Sequence, residues 1–298
     1  MHSNAHVLIF TPTWVDEATG EDAIQPEVEA AIKSQALRDG EFDWHVGTDN
    51  PHPIGDHRNV LHQYQQARDY FLHGIWDTLL TVEHDNVLPD SGALQRMLDT
   101  PGDVIYAPYR LRHGNPVLST WQYINDRNLG MSLSNYKNEM RQARQTIVHR
   151  VCGVGMGCTL FRRAIIERIP FASTERNDLP DLTFARMALQ QGWKSYGRFD
   201  VPVLHYSEGH WLHPFRNEDI NMRYLALQTV NVMVNSTAVQ FVEGQEIELD
   251  AEAAHDWLRA GYLQAIGVPE PIEAAVIEPP EAAIAPAQAA RKKRKTGS

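Results

Sequence analysis

Glu83 and Asp85 stand one residue apart at the end of the apolar run Leu79-Leu80-Thr81-Val82, with His84 between them and Asn86 after. Two carboxylates this close repel each other unless something positive lies there too. A divalent cation such as Mg2+ or Mn2+ is the natural partner. These ions prefer oxygen ligands, commonly take one or two carboxylates plus phosphate oxygens, and neutralise a departing diphosphate. Pro89 cannot donate to a strand ladder, so "TVEHDNVLPD" reads as a buried strand that ends on its acidic residues. Taken alone the pair is also what a solvated loop would carry, so its meaning depends on what the fold brings beside it.

The elements around the pair follow from hydrophobic spacing. Residues 6–11 (HVLIFT) form a β-branched and aromatic run closed by Pro12, and 27–40 place apolar residues at helical spacing up to Gly40. A strand over 41–50, a helix over 59–75 and a strand over 76–85 come next. These strands are apolar throughout instead of alternating, which predicts a largely parallel α/β sheet covered by helices on both faces. Such sheets bind ligands at the carboxyl ends of their strands, where Asp49 and the Glu83–Asp85 group both fall. Residues 102–111 predict another strand. From His113 to about Arg150 the chain is rich in Asn, Gln and Arg. It reads as a loop with partial helix, either a lid or acceptor-binding segment or disordered. A glycine-rich turn, an apolar run and a helix are predicted over 151–169. Residues 180–192 predict a helix opened by Pro180 and closed by Gly192, and 198–206 a strand.

The 298 residues, 43% of them hydrophobic, suffice for one large domain or two modest ones. No apolar stretch approaches the roughly 20 residues of a membrane-spanning helix, and MHSNAHVLIF lacks the features of a signal peptide. A cytoplasmic protein without membrane partners is expected. Cys152 and Cys158 match neither a disulfide framework nor a zinc spacing and are expected to be reduced. The net charge is −11, and setting aside the five basic residues of Arg291–Lys295 leaves −16 on residues 1–290. So acidic a body repels nucleic acid and membrane phosphates at long range. The composition changes near residue 227. Two short strands about a Glu243-Gly244 turn, then a helix from an Asp250 N-cap, predict a small α+β module. The expected organisation is a main domain over 1–226, the module over 227–267, and a disordered Ala, Pro and Glu-rich tail over 268–298 that ends in the basic run.

Four stretches, in their order and spacing, resemble family 2 glycosyltransferases of the GT-A (Rossmann-like) fold across residues 6 to about 210. "TVEHDNVLPD" resembles the metal-binding D-x-D strand end. Arg58-Asn59 resembles an R-N pair at a helix start. "VCGVGMGCTLFRR" resembles the glycine-rich acceptor-side segment, and "PDLTFARMALQQGWKSY" the E-D helix with its following Gly-aromatic pair. "GVGMG" lacks the G-K-[ST] ending of a Walker loop, and its Gly155, Met156 and Gly157 are expected to let the backbone approach a sugar or acceptor. The 227–267 segment resembles hairpin-helix appendages of bacteriophage and actinobacterial proteins.

The resemblance implies a cofactor, a donor and a set of roles. Asp85 would bind Mn2+ or Mg2+, with His205 as a further ligand for which His210 and His213 compete. Glu83, in the place usually held by Asp, would reach the ribose or the metal through water, beside His84. Asp49 would meet the nucleotide base, Thr11, Pro12 and Thr13 would line the same pocket with Arg58 and Asn59, and Asp181 would be the general base. The implied reaction moves one sugar from a UDP- or GDP-linked donor to an acceptor hydroxyl with inversion. The Q-x-x-R-W signature of processive synthases is absent, which favours single addition. Pro180 replaces the Glu of the E-D pair. A protein or glycan acceptor fits the acidic body better than modified DNA. If the source is a phage, the compartment would be the host cytoplasm. The alternatives are a nucleotidyltransferase and a non-catalytic virion-associated or binding protein. Oligomeric state is left open.

Overall fold

In a computed structural model, the structure describes residues 5–15, 20, 22–53, 56, 58–111, 118, 120–125, 128–131, 147–173, 180–207, 209–214, 219–220, 222–234, 237–249, 254 and 257–267. The tail, its basic run and the expected cap Asp250 lie outside these residues. The first half alternates as the hydrophobic pattern predicts: β1 (Ala5–Pro12), α1 (Pro26–Lys33), β2 (Gly40–Gly47), α2 (Arg58–His73) and β3 (Thr78–Val82). Val7 to Phe10 are at most 1% exposed, and β1 is an inner strand with β2 and β3 parallel to it on its two edges. α2 buries Asn59, Gln63, Tyr64, Ala67 and Phe71, one face at helical spacing.

After β3 the chain forms β4 (Asn86–Val87), α3 (Ala93–Leu98) and β5 (Val104–Tyr106). It continues through β6 (Thr120–Asn125), β7 (Asn128–Met131), β8 (Val148–Val151), β9 (Gly153–Val154), β10 (Cys158–Arg162), α4 (Arg163–Arg168), α5 (Pro180–Gln190) and β11 (Ser195–Arg198). The central sheet has the order β2-β1-β3-β10-β5-β11-β8. β1, β2, β3, β5 and β11 run parallel, whereas β10 and β8 run against them. This is the mixed α/β, mostly parallel sheet expected from the apolar strands. Antiparallel β10 carries the glycine-rich turn back to the end of β3, with Cys158 opposite Val82. Cys152 and Cys158 are free thiols.

The region expected as loop with partial helix holds strands instead, wherever it is described. β6 pairs antiparallel with β7 and with β9, and β8 joins the edge of the main sheet. Its stretches Thr120–Asn125 and Val148–Val151 are rich in aromatic and β-branched residues, a preference that the surrounding Asn, Gln and Arg mask. The strand expected over 198–206 is broken in two. Arg198 folds back on Asp200, with Nε 2.5 Å from Oδ1, and Pro202 interrupts the ladder before β12 (Leu204–Ser207). β12 belongs to a second sheet with β4, β13 (His210–Leu212) and β14 (Asp219–Ile220).

The C-terminal part forms β15 (Met222–Ala226), β16 (Val230–Val234), β17 (Thr237–Phe241), β18 (Glu246–Leu249) and β19 (Leu263–Gly267). Gly244 turns with φ 80°, but the strands on either side of it have different partners: β17 pairs with β16, and β18 with β15. β15 lies at the centre of the sheet β18-β15-β19, so the segment from 227 shares a sheet with the strand before it. This sheet abuts α1, and the buried Tyr224 hydroxyl donates to Glu27 Oε1 at 2.6 Å. α1 in turn holds the segment after β3. Gln25 N–H donates to His84 O (3.0 Å), and Gln35 bridges Asp90 O and Leu94 N–H, each at 2.9 Å. Among the described residues no helix is long and apolar enough to cross a membrane.

Candidate active site

The end of β3 is fixed by the turn that precedes β10. Thr81 Oγ1 lies 2.5 Å from Met156 O, and Thr159 Oγ1 donates to Gly155 O at 2.7 Å. Glu83 N–H and Asn86 Nδ2 both donate to Gly157 O, at 2.8 and 3.2 Å, while Gly157 N–H donates to the Tyr109 hydroxyl at 3.2 Å. A Cβ on residue 157 would stand 2.7 Å from Asn86 Nδ2, 2.8 Å from Glu83 Oε2 and 2.9 Å from Tyr109 Cζ. Glycine is required here because the turn is pressed against the acidic segment.

From this anchored turn the two carboxylates go to different partners. Asp85 is 2% exposed, and its Oδ2 lies 3.6 Å from Nε2 of His205 and 3.6 Å from Nε2 of His84. β12 supplies His205, and Tyr206 N–H binds Asp85 O at 2.8 Å. His205 Nδ1 is 2.5 Å from Arg110 O. A carbonyl accepts only, so this contact assigns the proton to Nδ1 and turns the basic Nε2 toward the carboxylate. Two donors of electron pairs facing each other at 3.6 Å need a proton or a cation between them. Two ligand bonds of about 2.1 Å reach at most about 4.2 Å, so one ion could bridge the pair. Among the described residues no group of three or more His, Cys, Asp and Glu side chains is placed to hold a metal. Trp14, 38% exposed, stands edge-on to His84 with centroids 4.4 Å apart.

Glu83 has other partners. Its Oε1 accepts the Tyr64 hydroxyl at 2.8 Å, and burial together with the Glu83 charge holds the Tyr64 proton well above the ordinary phenol range. Asp181, in the first turn of α5, belongs to this side. Burial, and then the Glu83 charge, raise its pKa to about 7, against the opposing pull of the Leu182 N–H at 2.7 Å. Phe161, Phe171 and Phe184 pack mutually with centroids 5.2 to 5.7 Å apart, and Tyr64 packs on Phe171.

A third group of expected residues gathers where β1 and β2 end. Thr11 Oγ1 accepts from Trp44 Nε1 at 3.0 Å, and Pro12 lies opposite Gly47. Thr13 O receives the Asn50 amide at 2.7 Å. Asp49 is exposed and its Oδ2 accepts from Gln66 and His62 of α2, at 2.8 and 3.1 Å. Buried Asn59 closes the loop before α2, accepting from His52 N–H and donating to His52 O, both at 3.0 Å. Exposed Arg58 pairs with Asp56 in two-pronged fashion and holds that carboxyl far below its ordinary range. The structure thus joins His84, Asp85 and His205 in one cluster, Glu83, Gly157 and Asp181 in a second, and the β1–β2 residues in a third. Tyr64, Tyr109 and Trp14 complete these clusters without any motif to announce them, although Tyr64 falls on the buried face of α2.

Fold and site together define a mixed α/β protein with a carboxylate–imidazole pair at the carboxyl edge of its sheet. No family model and no curated protein matches the chain. Among solved structures it is similar to a viral protein from STIV, with 18% identity and a TM-score of 0.47 over 71% of this chain and 92% of that one. It is also similar to a mannosyltransferase from Pyrobaculum calidifontis in complex with GDP-Man and Mn2+, at 13% identity and TM-score 0.39 over 65% and 55% of the two chains. A CMP:2-keto-3-deoxy-manno-octonic acid synthetase with CTP matches at 13% and 0.36 over 65% and 89%.

Proposed function

We propose that the protein is a metal-dependent glycosyltransferase that moves one sugar from a nucleotide-diphosphate donor to an acceptor hydroxyl, with inversion. The observation that carries this reading is the pair at the sheet edge: Arg110 O fixes the His205 tautomer so that Nε2 faces Asp85 Oδ2 at 3.6 Å. Asp85 and His205 would hold Mn2+ or Mg2+, which when bound neutralises the diphosphate as it departs. Thr11, Pro12, Thr13 and Asp49 line the donor side at the ends of β1 and β2, with Arg58 and Asn59 at the start of α2 and His84 at the junction. Gly155, Met156 and Gly157 fix the floor between donor and acceptor. Glu83, tied to Tyr64 through Oε1, would reach the ribose or the metal through water, and its charge bears on Asp181.

Asp181 takes the proton of the acceptor hydroxyl while that oxygen bonds to the anomeric carbon. The bond from carbon to diphosphate oxygen breaks in the same step, and its electron pair leaves with the nucleoside diphosphate. A pKa of about 7 suits this work, since an ordinary carboxylate would be too weak a base at neutral pH.

A melting panel with UDP- and GDP-linked sugars in Mn2+, followed by product analysis, tests the proposal. Binding at 100 times Kd should stabilise by about 2.7 kcal/mol, and nucleoside diphosphate should accumulate. Pyrophosphate as product would identify a nucleotidyltransferase instead. No stabilisation by any member of the panel would leave a non-catalytic binding protein.

A further inference from the structure

We infer that Asn86 is a third protein ligand of the cation held by Asp85 and His205, presenting its side-chain amide oxygen. This rests on the metal-dependent reading above and adds a residue to it. β4 and β12 are antiparallel with Asn86 directly opposite His205, so the two side chains share one face of the ladder. Asn86 is fully buried, and its Nδ2 donates to Gly157 O at 3.2 Å. That contact assigns the amide orientation, since the reverse would set two carbonyl oxygens against each other. Oδ1 consequently points away from the glycine turn, and it has no hydrogen-bond partner among the described residues. A buried oxygen left unmatched calls for an ion, a water or strain to explain it.

An ion would answer both this oxygen and the Asp85 Oδ2–His205 Nε2 pair 3.6 Å apart. Tyr109 spans the gap: its Cζ lies 2.9 Å from where a Gly157 Cβ would be, and its ring stands edge-on to His205 with centroids 5.5 Å apart. A neutral oxygen would complement the one carboxylate and one imidazole of the Asp85–His205 pair. Amide oxygens are ordinary ligands of hard divalent cations. The choice of amide over carboxylate also has an electrostatic consequence. With one carboxylate, one imidazole and one amide, the bound ion keeps a net positive charge to attract a diphosphate. A second carboxylate would cancel it.

The test uses the full chain and Mn2+ alone, measuring free Mn2+ by electron paramagnetic resonance and the visible absorption of the Co2+-loaded protein, with metal-free melting as the folding control. Asn86→Ala should weaken Mn2+ binding about 10-fold or more and alter the Co2+ spectrum. Asn86→Asp keeps the oxygen, so it should bind Mn2+ at least as tightly as the wild type while binding UDP or GDP in Mn2+ more weakly. If Asn86→Ala does not fold, Asn86→Asp decides. Wild-type Mn2+ affinity in a folded Asn86→Ala, or Mn2+ lost equally from Asn86→Asp, would overturn the inference by leaving only the Gly157 contact. Asp85→Asn and His205→Ala are the controls for the underlying reading. If both bind Mn2+ like the wild type, that reading fails along with this one. If both lose it while the Asn86 variants do not, this inference fails alone.

Discussion

Asp181→Asn should make the protein more stable at pH 8 while abolishing transfer. Asn keeps an oxygen for the Leu182 N–H and removes only the charge. The folded-state pKa of about 7 lies well above the ordinary 3.8, with burial as its largest cause. At 1.36 kcal/mol per pH unit this difference is about 4 kcal/mol of cost carried by the charged form. Because the pKa is raised, the folded state holds more protons than the unfolded state between pH 3.8 and about 7, and stability falls as pH rises through that window. Above it the wild type bears the whole cost; below 3.8 it bears none. The Asn variant is neutral throughout, so its advantage should be full at pH 8 and fall by more than half at pH 5. Partial solvation of the site reduces the ceiling to a working figure of about 1–3 kcal/mol. At about 2–4 °C per kcal/mol this gives a melting shift of several degrees at pH 8. Melting curves of both proteins at pH 5 and pH 8 are the assay. An Asn variant no more stable than wild type at pH 8 would refute the claim that burial burdens this carboxylate. Gain of stability with loss of transfer is the signature of a group kept for chemistry at the expense of the fold.

Three further outcomes follow from the same contacts. The kcat/KM should climb with pH to about 7 and then level, because Asp181 acts as base only when deprotonated; a profile flat from pH 5 to 8 would remove it from the mechanism. Gly157→Ala should cost about 1–3 kcal/mol in urea unfolding and most of the activity, since its Cβ would lie 2.7 to 2.9 Å from three pinned side chains; wild-type stability would mean the turn yields freely. Tyr224→Phe leaves buried Glu27 without the 2.6 Å hydroxyl contact and should destabilise by about 1–3 kcal/mol, read as a drop in melting temperature; no drop would mean the C-terminal sheet does not brace α1.

The legible parts of the fold were those whose burial is set by near neighbours in sequence. Val7–Phe10 and Thr78–Val82 are enclosed on both faces, so continuous apolar runs identified them as inner strands. The strands at 120–131 escaped notice because a small antiparallel sheet needs no long apolar run. The division at Pro202 could have been anticipated from its missing N–H, but which sheet each half joins depends on β4, more than a hundred residues earlier.

The site was legible as composition and illegible as geometry. Alternation along a strand sends residues two apart to one face. The strand stops at Val82, however, and Asn86 N–H donates to Glu83 O at 3.0 Å, closing a turn across His84 and Asp85. Within a turn the period of two no longer holds. Glu83 is left on the side of Tyr64 and α5, while Asp85 is carried round to His205. Gly157 packs beside both Glu83 and Asn86 and is admitted only because it has no side chain. The turn thus gives two carboxylates one residue apart different partners: the charge of Glu83 contributes to the raised pKa of Asp181, and Asp85 is faced by the imidazole of His205.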